Sequence, residues 1–544
     1  MKKLSIAIFL AALLLMLPQF CAATTWYVDN TATGANNGTS WANAWPSFSA
    51  ISWSSIAAGD TIYISGGATS QTYTETWTVG AGGTAGSPIT IAVDAADSNH
   101  NGTVIFDYTS LGSSTSQTGI SIAHNYVTLT GNVNGASHIQ VNNLYNTSSQ
   151  TSSVGVQANS NGSTGVTVDY ITFNNDNNPI RMSHANGDVI SNNTMLVVRG
   201  DAGIAINGSS GADTLNSIFG NHIELHCNPG SSVPTAHCNG PDGIQTGGGA
   251  SIYNNFLSET LDSNISSGQH PDMFQIEGSN VHVFNNEIVN IGDSGFDFDC
   301  FSDSNPTDIW VYNNVYHIET PIDAYPEYWR MYSSQGPIQS ITNVRIMNNT
   351  YVDDTGGYNT IRLDSYGSGG SPTASNFMIA NNLFYNDGGG NAATAVIEIQ
   401  NSSGFTSSSF TFSNNLYYNP SGAYSFPTLS GPGYIQYLGC GPDCSTGSAT
   451  FTTANWISTH EPTGTLAKPT FVSYAPLAIS NDFHLAASDT AATNAGANLS
   501  QYFNIGKDGN ARPATGAWDI GAYQGTSGAA APNPPTNLTV TSVQ

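Results

Sequence analysis

Short runs of alternating apolar and polar residues recur along most of the chain. YITF, DVIS, SIFG, SIYN, VHVF, IWVY, VRIM, FMIA and FTFS are rich in β-branched and aromatic types. Their period of two is that of a strand with one buried face. Asn-Asn pairs follow most of them, at Asn174-Asn175, Asn192-Asn193, Asn254-Asn255, Asn285-Asn286, Asn313-Asn314, Asn348-Asn349, Asn381-Asn382 and Asn414-Asn415, and Asn221-His222 fills the one gap. The first interval is 18 residues and the others run from 28 to 35. A period near 30 carried by strands, with no helical pattern, predicts a β-solenoid whose coils stack on one another. Asn suits its turns because it accepts a left-handed backbone conformation. Its amide can also bond the same residue on neighbouring coils. This ladder is read as structural.

A second ladder lies about half a coil upstream. Its members are Ile180-Arg181-Met182, Ile204-Ala205-Ile206, Ile244-Gln245-Thr246, Phe274-Gln275-Ile276, Phe296-Asp297-Phe298, Trp329-Arg330-Met331, Ile361-Arg362-Leu363 and Ile397-Glu398-Ile399. In most, apolar flankers enclose a polar centre, so stacking predicts an outward stripe of Arg181, Ala205, Gln245, Gln275, Asp297, Arg330, Arg362 and Glu398. Glu277, Asp299 and Asp364 extend that face by two positions.

Composition sharpens the picture. Charged residues are only 9%, so Asn, Ser, Thr and Gly must cover the surface, and the formal net charge of -27 excludes a nucleic-acid footprint. Residues 1–23 read as a signal peptide, with Lys2 and Lys3 before an apolar stretch from Ile6 to Leu17, so export from the cell is expected. No later segment is long and apolar enough to span a membrane. Export permits disulfides, with Cys227 near Cys238 and Cys440 near Cys444, leaving Cys300 over. The expected organisation is an N-terminal cap and first coils over 24–125, with a capping helix in the Trp/Ser stretch through Ile51. The solenoid body follows over 126–429, C-terminal coils and cap over 430–525, and an Ala/Pro-rich linker with a strand stub over 526–544. Caps are needed because an open solenoid end exposes core and strand edges. A monomer is expected.

The Asn ladder, the opening TWYVDNTATGANNGTSW and GDTIYI, and the closing GNARPATGAWDIGAYQ resemble the pectin-lyase-like superfamily. The resemblance covers nearly the whole chain after the signal peptide. It implies an all-β fold, a single-stranded right-handed parallel β-helix with N- and C-terminal caps. The superfamily holds polysaccharide lyases, polygalacturonase-like hydrolases, epimerases and non-catalytic adhesins, so the fold alone does not choose among them.

Polar residues are densest over three coils, carrying Asp242 and Gln245; Asp272, Gln275 and Glu277; and Asp293, Asp297 and Asp299. The next coils bring Tyr325, Arg330 and Arg362. The first expectation is a calcium-dependent lyase acting on a uronate polymer. Asp272, Asp293, Asp297 and Asp299 are its candidate ligands for Ca²⁺, a hard cation that takes oxygen donors. The resemblance to one pectate-lyase family places Asp272, Asp293 and Asp297 on its acidic positions, with Ser294 replacing one Asp and Arg330 standing where that family has Lys. Asp242, Asp272, Asp297 and Arg330 are the candidate catalytic residues, with Arg330 as base; Gln245, Gln275, Glu277, Tyr325 and Arg362 are candidates for binding substrate. The second expectation is an inverting glycosidase using paired Asp. A polygalacturonase-like layout matches Asp242, Asp272 and Arg330 but has Pro271, Ser294 and Tyr332 in place of an Asp, a His and a Lys. The third is a glycan-binding or adhesive solenoid without catalysis. A polysaccharide is the expected partner in each case.

Overall fold

The computed structural model describes residues 23–112, 116–145, 153–158, 161–207, 214–226, 241–260, 271–291, 294–298, 303–319, 327–331, 339–354, 360–363, 373–386, 397–400, 409–418, 425–426, 429–430, 434–438, 449–478 and 480–525. Each coil contributes one strand to each of three sheets. Ile89–Ala92 lies in the first, Thr103–Asp107 in the second and Thr118–Ile122 in the third, before Val127–Thr130 returns to the first. The sheets run to 14, 13 and 13 strands among the described residues, and the pairing is parallel until the last pair of the third sheet. This is a right-handed parallel β-helix, the hand that right-twisted strands give parallel crossovers. No described helix is long and apolar enough to cross a membrane.

Inward residues stack in columns, one per coil. Ile120, Val156, Ile180, Ile204, Ile244 and Phe274 form one such column in the third sheet, all fully buried. Each buried side chain of this size contributes roughly 1.5–3 kcal/mol. Tyr316, Tyr351, Phe384 and Tyr417 form another, with ring centroids 4.9, 5.1 and 5.4 Å apart.

The Asn pairs divide their work. The first member takes the left-handed turn, with φ of 54° at Asn254, 58° at Asn285 and 55° at Asn313. The second builds the ladder. Asn193, Asn221, Asn255, Asn286, Asn314, Asn349, Asn382 and Asn415 each accept from, or donate to, the next side-chain amide at 2.9–3.0 Å. Two sequence assignments are corrected here. Asn221 is a ladder residue preceded by Gly220 (φ 66°), so it aligns with second members, not first ones. Asn174-Asn175 sits at the following corner, between the second and third sheets, which explains its short interval; the ladder corner of that coil is Tyr170-Ile171.

At the C-terminal end Glu461 closes the ladder. Its carboxylate accepts from the backbone and side-chain amides of Asn415, the Tyr417 hydroxyl and the Trp456 indole. The chain then turns back. Phe471, Phe483 and Ile520 pack on Val315, Val352, Leu383 and Leu416, so residues 467–525 clad the outer face of the second sheet as well as following the last coils. Arg512, in the closing motif, is buried and bonds Asn313 Oδ1 and the carbonyls of Gly521 and Ala522; burial pushes its guanidinium down to about 9. At the N-terminus the Trp/Ser stretch forms three short 3-10 turns, Trp41–Asn43, Phe48–Ala50 and Trp53–Ser55, instead of a helix. Its Ser residues favour turns over helix interiors.

Candidate functional site

The third sheet carries the polar stripe. Strand register puts Thr78, Ser121, Gln157, Arg181, Ala205, Gln245, Gln275, Asp297, Arg330, Arg362, Glu398 and Gln436 in one column, one residue per coil. Coils repeat at about 4.8 Å. Its first three members escaped the sequence reading, although Trp77-Thr78-Val79, Ile120-Ser121-Ile122 and Val156-Gln157-Ala158 carry the same apolar–polar–apolar signal. Burial deepens along the column: Thr78 is exposed, Gln157 and Arg181 are half-buried, Gln245 and Gln275 are buried, and Asp297 is wholly covered.

Asp242 and Asp272 lie in a different column, three residues earlier on their coils. Asp272 bridges Ser294 on the next coil, and Gly243 N–H donates to the Asp272 carbonyl at 2.8 Å. Asp242 is engaged locally: Oδ1 accepts from Asp272 N at 2.8 Å and Oδ2 from Gln245 Nε2 at 2.7 Å. Gly243 permits this, since a Cβ there would meet Leu257 Cδ2 and the Met273 carbonyl at 2.5 Å each. Asp272 and Asp297 are therefore separated by three residues and one coil, about 11 Å between Cα atoms. Asp272 also shares the alternation of core Phe274, whereas Asp297 shares that of Gln245 and Gln275. Register thus aligns Gln245, Gln275, Asp297, Arg330 and Arg362 in one column and Asp242 and Asp272 in another, the two joined by the Asp242–Gln245 bond. Glu277, half-buried, joins its coil to the one before through its backbone N–H to the Thr246 carbonyl at 2.8 Å. Asp293, Asp299 and Tyr325 lie outside the described residues, as do residues 1–22, Cys300, the two cysteine pairs and residues 526–544.

Of the four residues expected to hold calcium, Asp272 and Asp297 occupy different columns, and Asp293 and Asp299 lie outside the described residues. Among the described residues no group of three His, Cys, Asp or Glu side chains converges as a metal site.

The charge pattern is the column's distinctive feature. The chain has six arginines, and three of them, Arg181, Arg330 and Arg362, stand in this column. The other three have internal work: Arg199 bonds Asn175, Arg345 bonds the carbonyls of Val344 and Asn376, and Arg512 pins the C-terminal segment. Arg181 is paired with Asp201 at 2.6 Å.

A second titratable cluster was missed in the sequence because its members are far apart there. His317 lies 2.9 Å from Asp354 and 3.1 Å from Glu319, and burial lowers its pKa less than these carboxylates raise it. Asp354 also accepts from Tyr474 and from Leu477 N. The C-terminal segment covers this cluster, which makes it a docking contact.

Neither a protein-family model nor a curated protein sequence matches the chain. Among solved structures, the chain is similar to the pectate lyase Pel9A at 15% identity, over 93% of this chain and 97% of that one, with a TM-score of 0.40. A rhamnogalacturonan lyase is similar at 14% identity over 72% and 87%, with a TM-score of 0.41. The surface adhesin PfbA of Streptococcus pneumoniae is similar at 12% identity over 64% and 81%, with a TM-score of 0.40. Likeness at this level says nothing of chemistry, which must be read from the column itself.

Proposed function

We propose that the protein binds and cleaves an acidic polysaccharide laid along the third sheet, by β-elimination at the coils of Asp297, Arg330 and Arg362. The observation that carries this reading is the concentration of half the chain's arginines in one column of a protein whose net charge is -27. Such cations meet a polymer's carboxylates where the rest of the surface would repel them. Guanidinium groups pair with carboxylates bidentately, which also orients the sugar.

In elimination a base removes the proton on the carbon beside the uronate carboxyl group. The bond from the next carbon to the leaving sugar oxygen breaks, and a carbon–carbon double bond forms. Arg330 is the proposed proton acceptor. An ordinary guanidinium holds its proton too tightly for this. Arg362 stands on the following coil and Asp297, the alternative acceptor, on the preceding one. No step is assigned to calcium. Assays with calcium and then chelator test the dependence expected from the sequence.

The test is the absorbance of unsaturated uronate on pectate, alginate and glucuronan. A rise that falls by about 10²–10⁴-fold in Asp297→Ala and Arg330→Ala supports the reading. New reducing ends without that absorbance would move it to hydrolysis. Silence in both assays would leave a binding solenoid.

A further inference from the structure

We propose that the N-terminal end of the same column is a subsite for an uncharged sugar unit of the bound polysaccharide. This rests on the reading that a glycan lies along the third sheet. A cleft of about 320 Å³ opens there, between the 3-10 turns at Phe48–Ala50 and Trp53–Ser55 and the strands Trp77–Val79 and Thr118–Ile122. That size is at the lower end of the range for small-ligand sites.

The lining is aromatic and hydroxylic. Trp53 forms part of the wall, half-buried against the core. Its indole rests on Gly80, where a Cβ would meet Trp53 Cγ at 2.7 Å, so the glycine lets the ring settle at the strand end. Trp77 also lines the cleft, stacked on Phe48 with centroids 4.3 Å apart. The Nε1–H of Trp77 is buried with no hydrogen-bond partner. Leaving such a donor unmet costs roughly 1–3 kcal/mol, which a modest shift of the ring toward a bound hydroxyl would recover. Thr78 and Ser121 are column members and bring hydroxyl groups to the same cleft. Aromatic faces with a few placed polar groups suit a sugar ring, which is apolar on its C–H faces and polar at its rim.

The absence of charge sets the specificity. No Asp, Glu, Lys, Arg or His is among the lining residues. The nearby Glu75 carboxylate is engaged by the backbone amides of Phe48 and Ser49 at 2.9 and 3.4 Å. A uronate unit here would lose water and find no cation, while a neutral unit loses nothing of that kind. Ser121 and Arg330 are seven coils apart in the column, about 34 Å at the coil spacing, so one polymer of several units reaches both. The substrate implied is a mixed polymer with neutral units on one side of the cleaved uronate.

The test is calorimetric titration of the full chain with neutral oligosaccharides of different sugars and with uronate oligomers. At least one neutral oligosaccharide should bind, about tenfold or more weakly in Trp53→Ala. Ser121→Trp, which fills the cleft from its lip, should abolish that binding. Far-ultraviolet circular dichroism melts identify any variant that has not folded, and the second variant keeps the test alive if Trp53→Ala fails. Neutral ligands that bind nowhere, or that bind both folded variants as they bind the parent, would overturn the subsite. Cleavage without an effect of these variants on binding sinks the subsite and spares the cleavage reading; binding that depends on Trp53 without any cleavage does the reverse.

Discussion

Two adjacent residues, Asn254 and Asn255, should respond in opposite ways to the same truncation. Asn255 is buried, and its Oδ1 accepts from Asn221 N at 3.0 Å and from Asn221 Nδ2 at 2.9 Å. Its Nδ2 donates to the Ile218 carbonyl and to Asn286 Oδ1, both at 3.0 Å. Asn255→Ala strands the buried backbone N–H of Asn221, whose Nδ2 keeps the Ile190 and Phe219 carbonyls, and takes a donor from the buried Ile218 carbonyl. At about 1–3 kcal/mol for each buried group left unmet, the N–H and the carbonyl together cost ~4 kcal/mol. Asn254 is exposed, with φ 54°. Asn254→Ala should cost about 1 kcal/mol for the left-handed backbone, and Asn254→Gly should cost almost nothing. Coils interact chiefly with their neighbours, so the loss should appear locally. Native-state hydrogen exchange over 216–226 and 250–260 is the assay. In Asn255→Ala, protection there should fall by roughly 10³-fold, tenfold for each 1.4 kcal/mol, and in Asn254→Gly it should not change. Asn255→Asp, which keeps the acceptor, should recover part of it. Equal effects of the two alanine variants would refute this division of labour.

Three further outcomes are expected. The C-terminal segment should loosen at alkaline pH: burial pulls His484 down, but Asp482 at 2.6 Å and Asp508 at 3.4 Å outweigh it and hold it up at about 9. With an ordinary value near 6.5, the stabilisation of about 3 kcal/mol is complete below that pH and lost as pH rises through about 9. Limited proteolysis of 467–525 across this range checks it, and His484→Gln should flatten the profile. Glu461→Gln turns an acceptor of four donors into a group that also presents N–H, so it should lower the stability of the last coils by about 1–3 kcal/mol, read by exchange over 409–418. Arg512→Lys should free the C-terminal segment to proteolysis although it keeps the charge, because lysine cannot reproduce the guanidinium's separate bonds to Asn313, Gly521 and Ala522.

The coil was legible because its two signals are local. Alternation needs only the residues of one strand, and the turn asparagines sit one or two residues beyond it. The same locality explains the errors. Asn174-Asn175 and Asn221-His222 look like ladder pairs as dipeptides. Only the partner one coil away shows that Asn175 turns a different corner and that Gly220 has taken the first place of the other pair. The path of residues 467–525 was not legible, because cladding the second sheet depends on contacts such as Arg512 with Asn313 and Asn381 Nδ2 with the Ala497 carbonyl, across more than a hundred residues.

The candidate site was half legible, for a physical reason. Its column follows from parity, so Gln245, Gln275, Asp297, Arg330 and Arg362 could be aligned without coordinates. Grouping the carboxylates required more, because spacing along the chain does not say which face a residue before a strand takes. Asp242 and Asp272 each lie three residues before a column glutamine, Gln245 and Gln275, so they stack together and the first caps the second through its backbone amide. Asp297 comes three residues later on its coil than the Asp272 position, on the opposite parity. Acidic residues close in sequence therefore form a row of carboxylates only where register puts them in one column. Here register puts the two arginines between Asp297 on the preceding coil and Glu398 on the following one, so opposite charges alternate around them in one column.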